Sequence, residues 1–195
     1  MNIYFTILLE FLLISSSILI LFRLRSKIGL APLYILLGAV QYIQALSTTM
    51  IKIAIFGKFT LYPGSVILFS AVLFAVLLIY IKEGVISARI LIIGIIISNF
   101  LLTLFFEISY QQELIVNQIS ELNKLSVFFI NYKFFIIGTL ILFFDFILLV
   151  VIYQFLILKT KQLPYFITLF ASLLFVLIFD AITFNLLLKF NSPDF

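Results

Sequence analysis

Residues 134–158 read FFIIGTLILFFDFILLVVIYQFLIL, twenty-five residues in which Asp145 is the only charge. At 1.5 Å per residue a helix of this run is about 37 Å long, more than the roughly 30 Å of hydrocarbon in a bilayer. The alternative way across, a barrel strand, alternates apolar with polar residues, and this run does not. It therefore reads as a transmembrane helix with a carboxylate near its middle. Working outward, five more runs meet the same length condition, at about 3–22, 30–55, 65–81, 90–106 and 165–188. The expected fold is all-α, a polytopic membrane helix bundle of about six transmembrane helices, forming one domain over residues 1–195.

Composition agrees. Of 195 residues, 65% are hydrophobic and 10% charged, and the mean hydropathy is +1.36, whereas a soluble domain is about half apolar and a quarter charged. With no Cys and no His, thiolate nucleophiles, imidazole bases, Ser-His-Asp triads and classical zinc sites are excluded. No Gly-rich phosphate loop and no basic-aromatic patch is present, so neither nucleotide nor nucleic acid is an expected partner. No enzyme activity, metal or cofactor is expected.

The breaks between runs carry the charge. Segments 23–27, 82–89 and 159–161 hold Arg23, Arg25, Lys27, Lys82, Arg89, Lys159 and Lys161 against one acid, Glu83. The other side holds Lys52, Lys58, Lys124, Lys133 and Lys189 together with Glu107, Glu113, Glu121 and Asp194. By the positive-inside bias the first set is cytoplasmic, placing both termini outside the cell's inner membrane. Pro63 and Gly64 are read as stopping a helix and Pro164 as starting one. The polar stretch 109–124 is either a short amphipathic helix on the outer surface or a solvated loop. Ala71 and Ala75, one turn apart, permit close helix approach.

An ionisable group near the bilayer centre costs several kcal/mol unless it is paired, protonated or wet. Asp145 and Asp180 are therefore the most informative residues, and the short 159–164 connection makes their helices antiparallel neighbours. Glu10, Gln41, Gln44 and Asn99 add polarity in the outer half, over cytoplasmic halves that are almost purely apolar. This is the pattern of a polar pocket opening outward over a hydrophobic plug. The structural alternative is an interhelical hydrogen bond or an ion pair with Lys133 or Lys52; for Glu10 it is snorkelling to the interface. Phe144-Asp145 and Phe179-Asp180 lack the flanking Tyr-Asp and Gly-x-Gly-Asp motifs of intramembrane aspartyl proteases.

Several short motifs form a resemblance. Pro63-Gly64-Ser65-Val66-Ile67-Leu68-Phe69, then Lys82-Glu83-Gly84 with Ala88-Arg89, and Phe179-Asp180-Ala181-Ile182-Thr183-Phe184 are similar to the vitamin-uptake-like (VUT) membrane family, which includes the queuosine-precursor transporters. The chain departs from it at Leu78 and Ile81, where family transporters carry an acidic pair in the third helix. Gly29-Leu30-Ala31-Pro32-Leu33-Tyr34 resembles a divergent branch of membrane sensor modules fused to cytoplasmic signalling domains, in which a further helix would follow Ser192-Pro193-Asp194-Phe195.

The resemblance implies a transporter or solute-binding membrane protein that takes a small nucleobase-like or vitamin-like solute from outside at Asp145, Asp180, Gln41, Gln44, Asn99 and Glu10. A proton on one carboxylate would couple binding to the proton gradient. The other expectation is a non-transporting sensor or interaction module. Expected partners are the lipid bilayer, the solute, and either a second copy of the chain or a signalling or energising protein.

Overall fold

The computed structural model describes residues 3–50, 53–55, 59–61, 63–120, 132–159 and 164–191. In chain order the elements are α1 (Ile3–Ile28), α2 (Ala31–Met50), β1 (Ile53–Ile55), β2 (Phe59–Leu61), α3 (Pro63–Glu83), α4 (Val85–Ser120), α5 (Tyr132–Lys159) and α6 (Tyr165–Asn191). Within the described residues five stretches are long and apolar enough to cross a membrane: Phe5–Ile28, Val66–Glu83, Val85–Gln112, Ile136–Lys159 and Tyr165–Thr183.

Four boundaries differ from the sequence reading. α1 continues through the basic cluster to Ile28, so Arg23, Arg25 and Lys27 stand on the helix itself. α2 stops at Met50, and Ile53–Ile55 pairs antiparallel with Phe59–Leu61, Ile53 opposite Leu61 and Ile55 opposite Phe59. Twenty helical residues already reach about 30 Å, and the β-branched Ile-Ala-Ile stretch beyond them suits a strand. Pro63 opens α3 instead of stopping a helix; at the first helical position its missing N–H is one that had no partner anyway. Finally, the stretch read as a surface helix or a loop continues α4 as far as Ser120. No Gly or Pro interrupts 95–120, and Gln111 Nε2 donates to Glu107 Oε1 at 2.9 Å one turn earlier. At about 54 Å, α4 outreaches the hydrocarbon. Pro164 acts as read: its carbonyl accepts the N–H groups of Ile167 and Thr168 at the head of α6.

α3 is the hub. It packs against α1, α2, α4, α5 and α6, and Val72, Leu73, Ala75, Val76, Leu77 and Ile79 are fully buried. From Pro63 to Tyr80 it carries no charge on any face, and a helix that is apolar all round belongs inside a bundle. Ala71 and Ala75 are both buried there, which lets neighbours come close. α1 buries Ile14, Ile18 and Phe22, one every four residues, and most of its other apolar side chains are exposed, as are many on α5 and α6.

The ends of α1, α3 and α5 and the starts of α2, α4 and α6 gather at one end of the bundle, called here the basic end. Arg25 Nε donates to Glu83 Oε1, joining α1 to α3. The Tyr34 hydroxyl donates to the Ser87 carbonyl at 3.2 Å, joining α2 to α4, and Gln154 Nε2 donates to the Tyr80 hydroxyl, joining α5 to α3. The turns are minimal. Gly29, at φ 75°, sends its N–H back to the Arg25 carbonyl, and Gly84, at φ 88°, sends its N–H to that of Tyr80. Both are left-handed C-caps that L-residues with a side chain adopt reluctantly. Lys52, Lys58, Lys124, Lys161 and residues 192–195 lie outside the described residues, as do the side chains of Lys133 and Lys189.

A paired test follows from the two kinds of glycine. At Gly84 a new Cβ meets no atom within 4 Å, so Gly84→Ala is opposed by backbone strain alone, about 1–2 kcal/mol, and lowers the melting temperature in detergent. Gly38 lies in α2 with helical φ and open space around it; Gly38→Ala leaves the melting temperature unchanged or raises it. A Gly84→Ala protein as stable as wild type contradicts the assigned turn.

Candidate functional site

The polar side chains that lipid should not tolerate collect at one level. Counted from the basic end at 1.5 Å per residue, Gln41, Gln44, Asn99, Asp145 and Asp180 stand about 15 to 22 Å along their helices. Two pairs form. On α5 and α6, which pack together as expected, the carboxyls of Asp145 and Asp180 face each other closely enough to interact directly. On α2 and α4, Asn99 Nδ2 donates to Gln41 Oε1 at 3.4 Å. α4 packs against α5, so the pairs occupy adjacent parts of the bundle at similar depth.

Local spacing explains the placement. On α5, Ile141, Asp145, Leu149 and Tyr153 recur every four residues, and all four are buried. On α6 the matching stripe is Thr168, Ser172, Val176 and Asp180; the first three are buried and Asp180 is half-buried. Small and hydroxyl side chains on that stripe let α6 lie close to α5. Ser172 Oγ donates to the Thr168 carbonyl at 2.7 Å, and Thr103 Oγ1 to the Asn99 carbonyl at 2.8 Å. These hydroxyls satisfy themselves on their own helices and offer nothing to the acids.

Asp145 is the extreme case. It is 0% exposed, and neither carboxylate oxygen meets a hydrogen-bond donor among the described residues. The group facing it is another acid, which donates only when one of the two carries a proton. Gln41, 4% exposed, keeps its Nε2 without an acceptor even as its Oε1 serves Asn99. The site thus presents two acceptor oxygens from Asp145, a second acid beside them, and a donor from Gln41.

Of the six residues singled out from sequence, the structure pairs Asp145 with Asp180 and Gln41 with Asn99, and it sets Gln44 one turn beyond Gln41 on α2. Glu10 stays apart. It shares the four-residue spacing of Ile14, Ile18 and Phe22, so it lies on the packed face of α1, but α1 packs against α2 and α3. It also stands about 27 Å from the basic end, beyond the level of the others. Sequence reading missed Thr103, Thr168 and Ser172, though each sits four residues from a polar partner and that spacing was visible. It also took the half toward the basic end for almost purely aliphatic and aromatic; buried Thr168 and Ser172, and Gln154 donating to Tyr80, add polar groups there. The rings of Tyr80 and Tyr153 meet edge-on at 6.1 Å in the same region.

The class so defined is a polytopic helix bundle, with helices apolar enough to cross a membrane and a carboxylate pair, one member fully buried, between two of them. The chain belongs to the vitamin uptake-like sensor family, whose model matches residues 15–195. No curated protein and no solved structure is matched.

A buried acceptor left without donors destabilises the fold that holds it, by about 1–3 kcal/mol for a neutral group and more for a charged one. Asp145→Asn replaces an acid that has no donor with an amide whose N–H can reach Asp180, so it raises the melting temperature of the ligand-free protein by a few degrees. Were Asp145 simply glue between α5 and α6, the same substitution would lower it.

Proposed function

We propose that the protein is a membrane sensor that binds a small nucleobase-like or vitamin-like solute between α5 and α6, at Asp145 and Asp180, with Gln41 and its neighbours as a second contact. The observation that carries this reading is the fully buried Asp145 carboxylate, with no donor of its own and a second acid beside it. Amino or ring N–H groups of a solute supply the donors this pair lacks, and a carbonyl or ring nitrogen accepts from Gln41 Nε2. The carboxylates act as acceptors for a ligand, not as an acid-base couple, and the site calls for no cofactor. Binding biases the α5–α6 arrangement, which a partner protein or a second copy of the chain reads.

Two features favour sensing over transport. The family is described as sensor-like, and Leu78 and Ile81 pack against the apolar core where the resembling transporters carry an acidic pair. Transport of the same solute, with queuosine precursors as candidates, is the second reading; the Pro63-Gly64-Ser65 opening of α3 and Gly84 through Arg89 favour it. In either case the basic end is cytoplasmic and both termini lie outside the inner membrane.

A thermal-shift screen of the purified protein over nucleobases, pteridines and vitamins tests binding: a ligand at a hundred times its Kd stabilises by about 2.7 kcal/mol. The true ligand raises the melting temperature of wild type and does not shift Asp180→Asn. If Asp180→Asn keeps full affinity and merely melts earlier, the aspartates are structural. Uptake of tritiated queuosine precursor into cells lacking their own carrier stays at background on the sensor reading; saturable uptake establishes transport instead.

A further inference from the structure

Among the described residues the basic end joins short turns to a cluster of exposed cations. One residue, Gly84, separates α3 from α4, and two, Gly29 and Leu30, separate α1 from α2, so no loop rises from the bundle at either place. The charges stand on the helices themselves: Arg23 and Lys27 near the end of α1, Lys82 at the end of α3, Arg89 at the start of α4 and Lys159 at the end of α5, all exposed. Each lies within five residues of its helix terminus, about 8 Å, which is the depth of a headgroup layer and not that of the aqueous phase beyond it. The one acid at this end, Glu83, is engaged by Arg25, so no free carboxylate offsets the five cations among the described residues. Long basic side chains at helix ends lay their stems along apolar surface and their heads at the phosphate level, and Lys159 does so with its Nζ 5.0 Å from the Phe155 ring centre.

We propose that this face docks onto the phosphates of anionic phospholipids, which ring the basic end and hold α1, α3, α4 and α5 in register at the membrane surface. Charge and depth select the occupant: five exposed cations at headgroup depth match the height of lipid phosphates. Juxtamembrane basic residues each contribute roughly a fivefold preference for anionic lipid at low salt, and screening weakens it as salt rises.

The test uses the full chain in detergent micelles, where orientation plays no part, with native mass spectrometry counting retained lipid. Wild type retains phosphatidylglycerol over phosphatidylcholine by at least tenfold at low salt, and the preference shrinks with added chloride. Neutralising all five (R23Q, K27Q, K82Q, R89Q, K159Q) abolishes it, the charge-preserving R23K/R89K keeps it, and Lys189→Gln at the other end of α6 leaves it intact. Equal retention of the two lipids by wild type overturns the proposal without recourse to any variant, as does an unchanged preference in the neutralised protein. So does displacement of phosphatidylglycerol by inorganic phosphate beyond that caused by chloride at matched ionic strength, which would mark a site for free anions.

Discussion

Everything distinctive about this bundle follows from the cost of keeping a carboxylate at mid-depth in an apolar interior. Asp145 is sealed from the surface, faces a second acid, and meets no donor among the described residues. The translocon scale puts a lone aspartate at a helix centre about 2.5–3.5 kcal/mol above zero, a sizeable part of the 5–15 kcal/mol by which proteins are ordinarily stable. The surrounding structure offsets that cost with α3, a helix apolar on every side and packed by five neighbours, whose buried alanines draw those neighbours in. The polar level is thus held by a core helix that carries no charge from Pro63 to Tyr80 and whose Ser70 returns its hydroxyl to the Ile67 carbonyl.

The same economy governs the other polar groups. Thr103, Thr168 and Ser172 are buried, and the hydroxyls of Thr103 and Ser172 are returned to their own helices' carbonyls. Arg25 and Glu83 cancel at the basic end, and Tyr34 and Gln154 stitch neighbouring helices to each other. Among the described residues, the fully buried oxygens of Asp145 and the Nε2 of Gln41 that lack a partner lie at similar depth. A fold that satisfies these hydroxyls locally and leaves the sealed Asp145 oxygens without a donor concentrates its unmet polarity at Asp145.

Much of this was legible in the sequence because lipid simplifies the rules. Continuous apolar runs can only be helices, so the six helices and the antiparallel α5–α6 pairing followed from length, and Asp145 and Asp180 stood out against aliphatic surroundings. The ends were harder. Arg23 to Lys27 look like a loop by charge, yet α1 continues through them, because basic side chains can leave a helix for the interface. The 107–120 stretch turned polar without a Gly or Pro to stop it, so α4 went on. Pro63 is ambiguous by itself, since the residue that cannot continue a helix is also suited to begin one. For Glu10 the depth was readable, but which neighbours α1 chooses is a packing outcome, and α1 sits on α2 and α3.

The account rests on the two aspartates meeting inside the bundle. Since the chain has no cysteine, cross-linking in membranes is free of background. The Asp145→Cys/Asp180→Cys protein, treated with a short thiol-bridging reagent, should be joined within one chain as readily as a Tyr80→Cys/Gln154→Cys control across α3 and α5. A linked control beside an unlinked 145/180 pair would show that the carboxylates face apart and contradict the account.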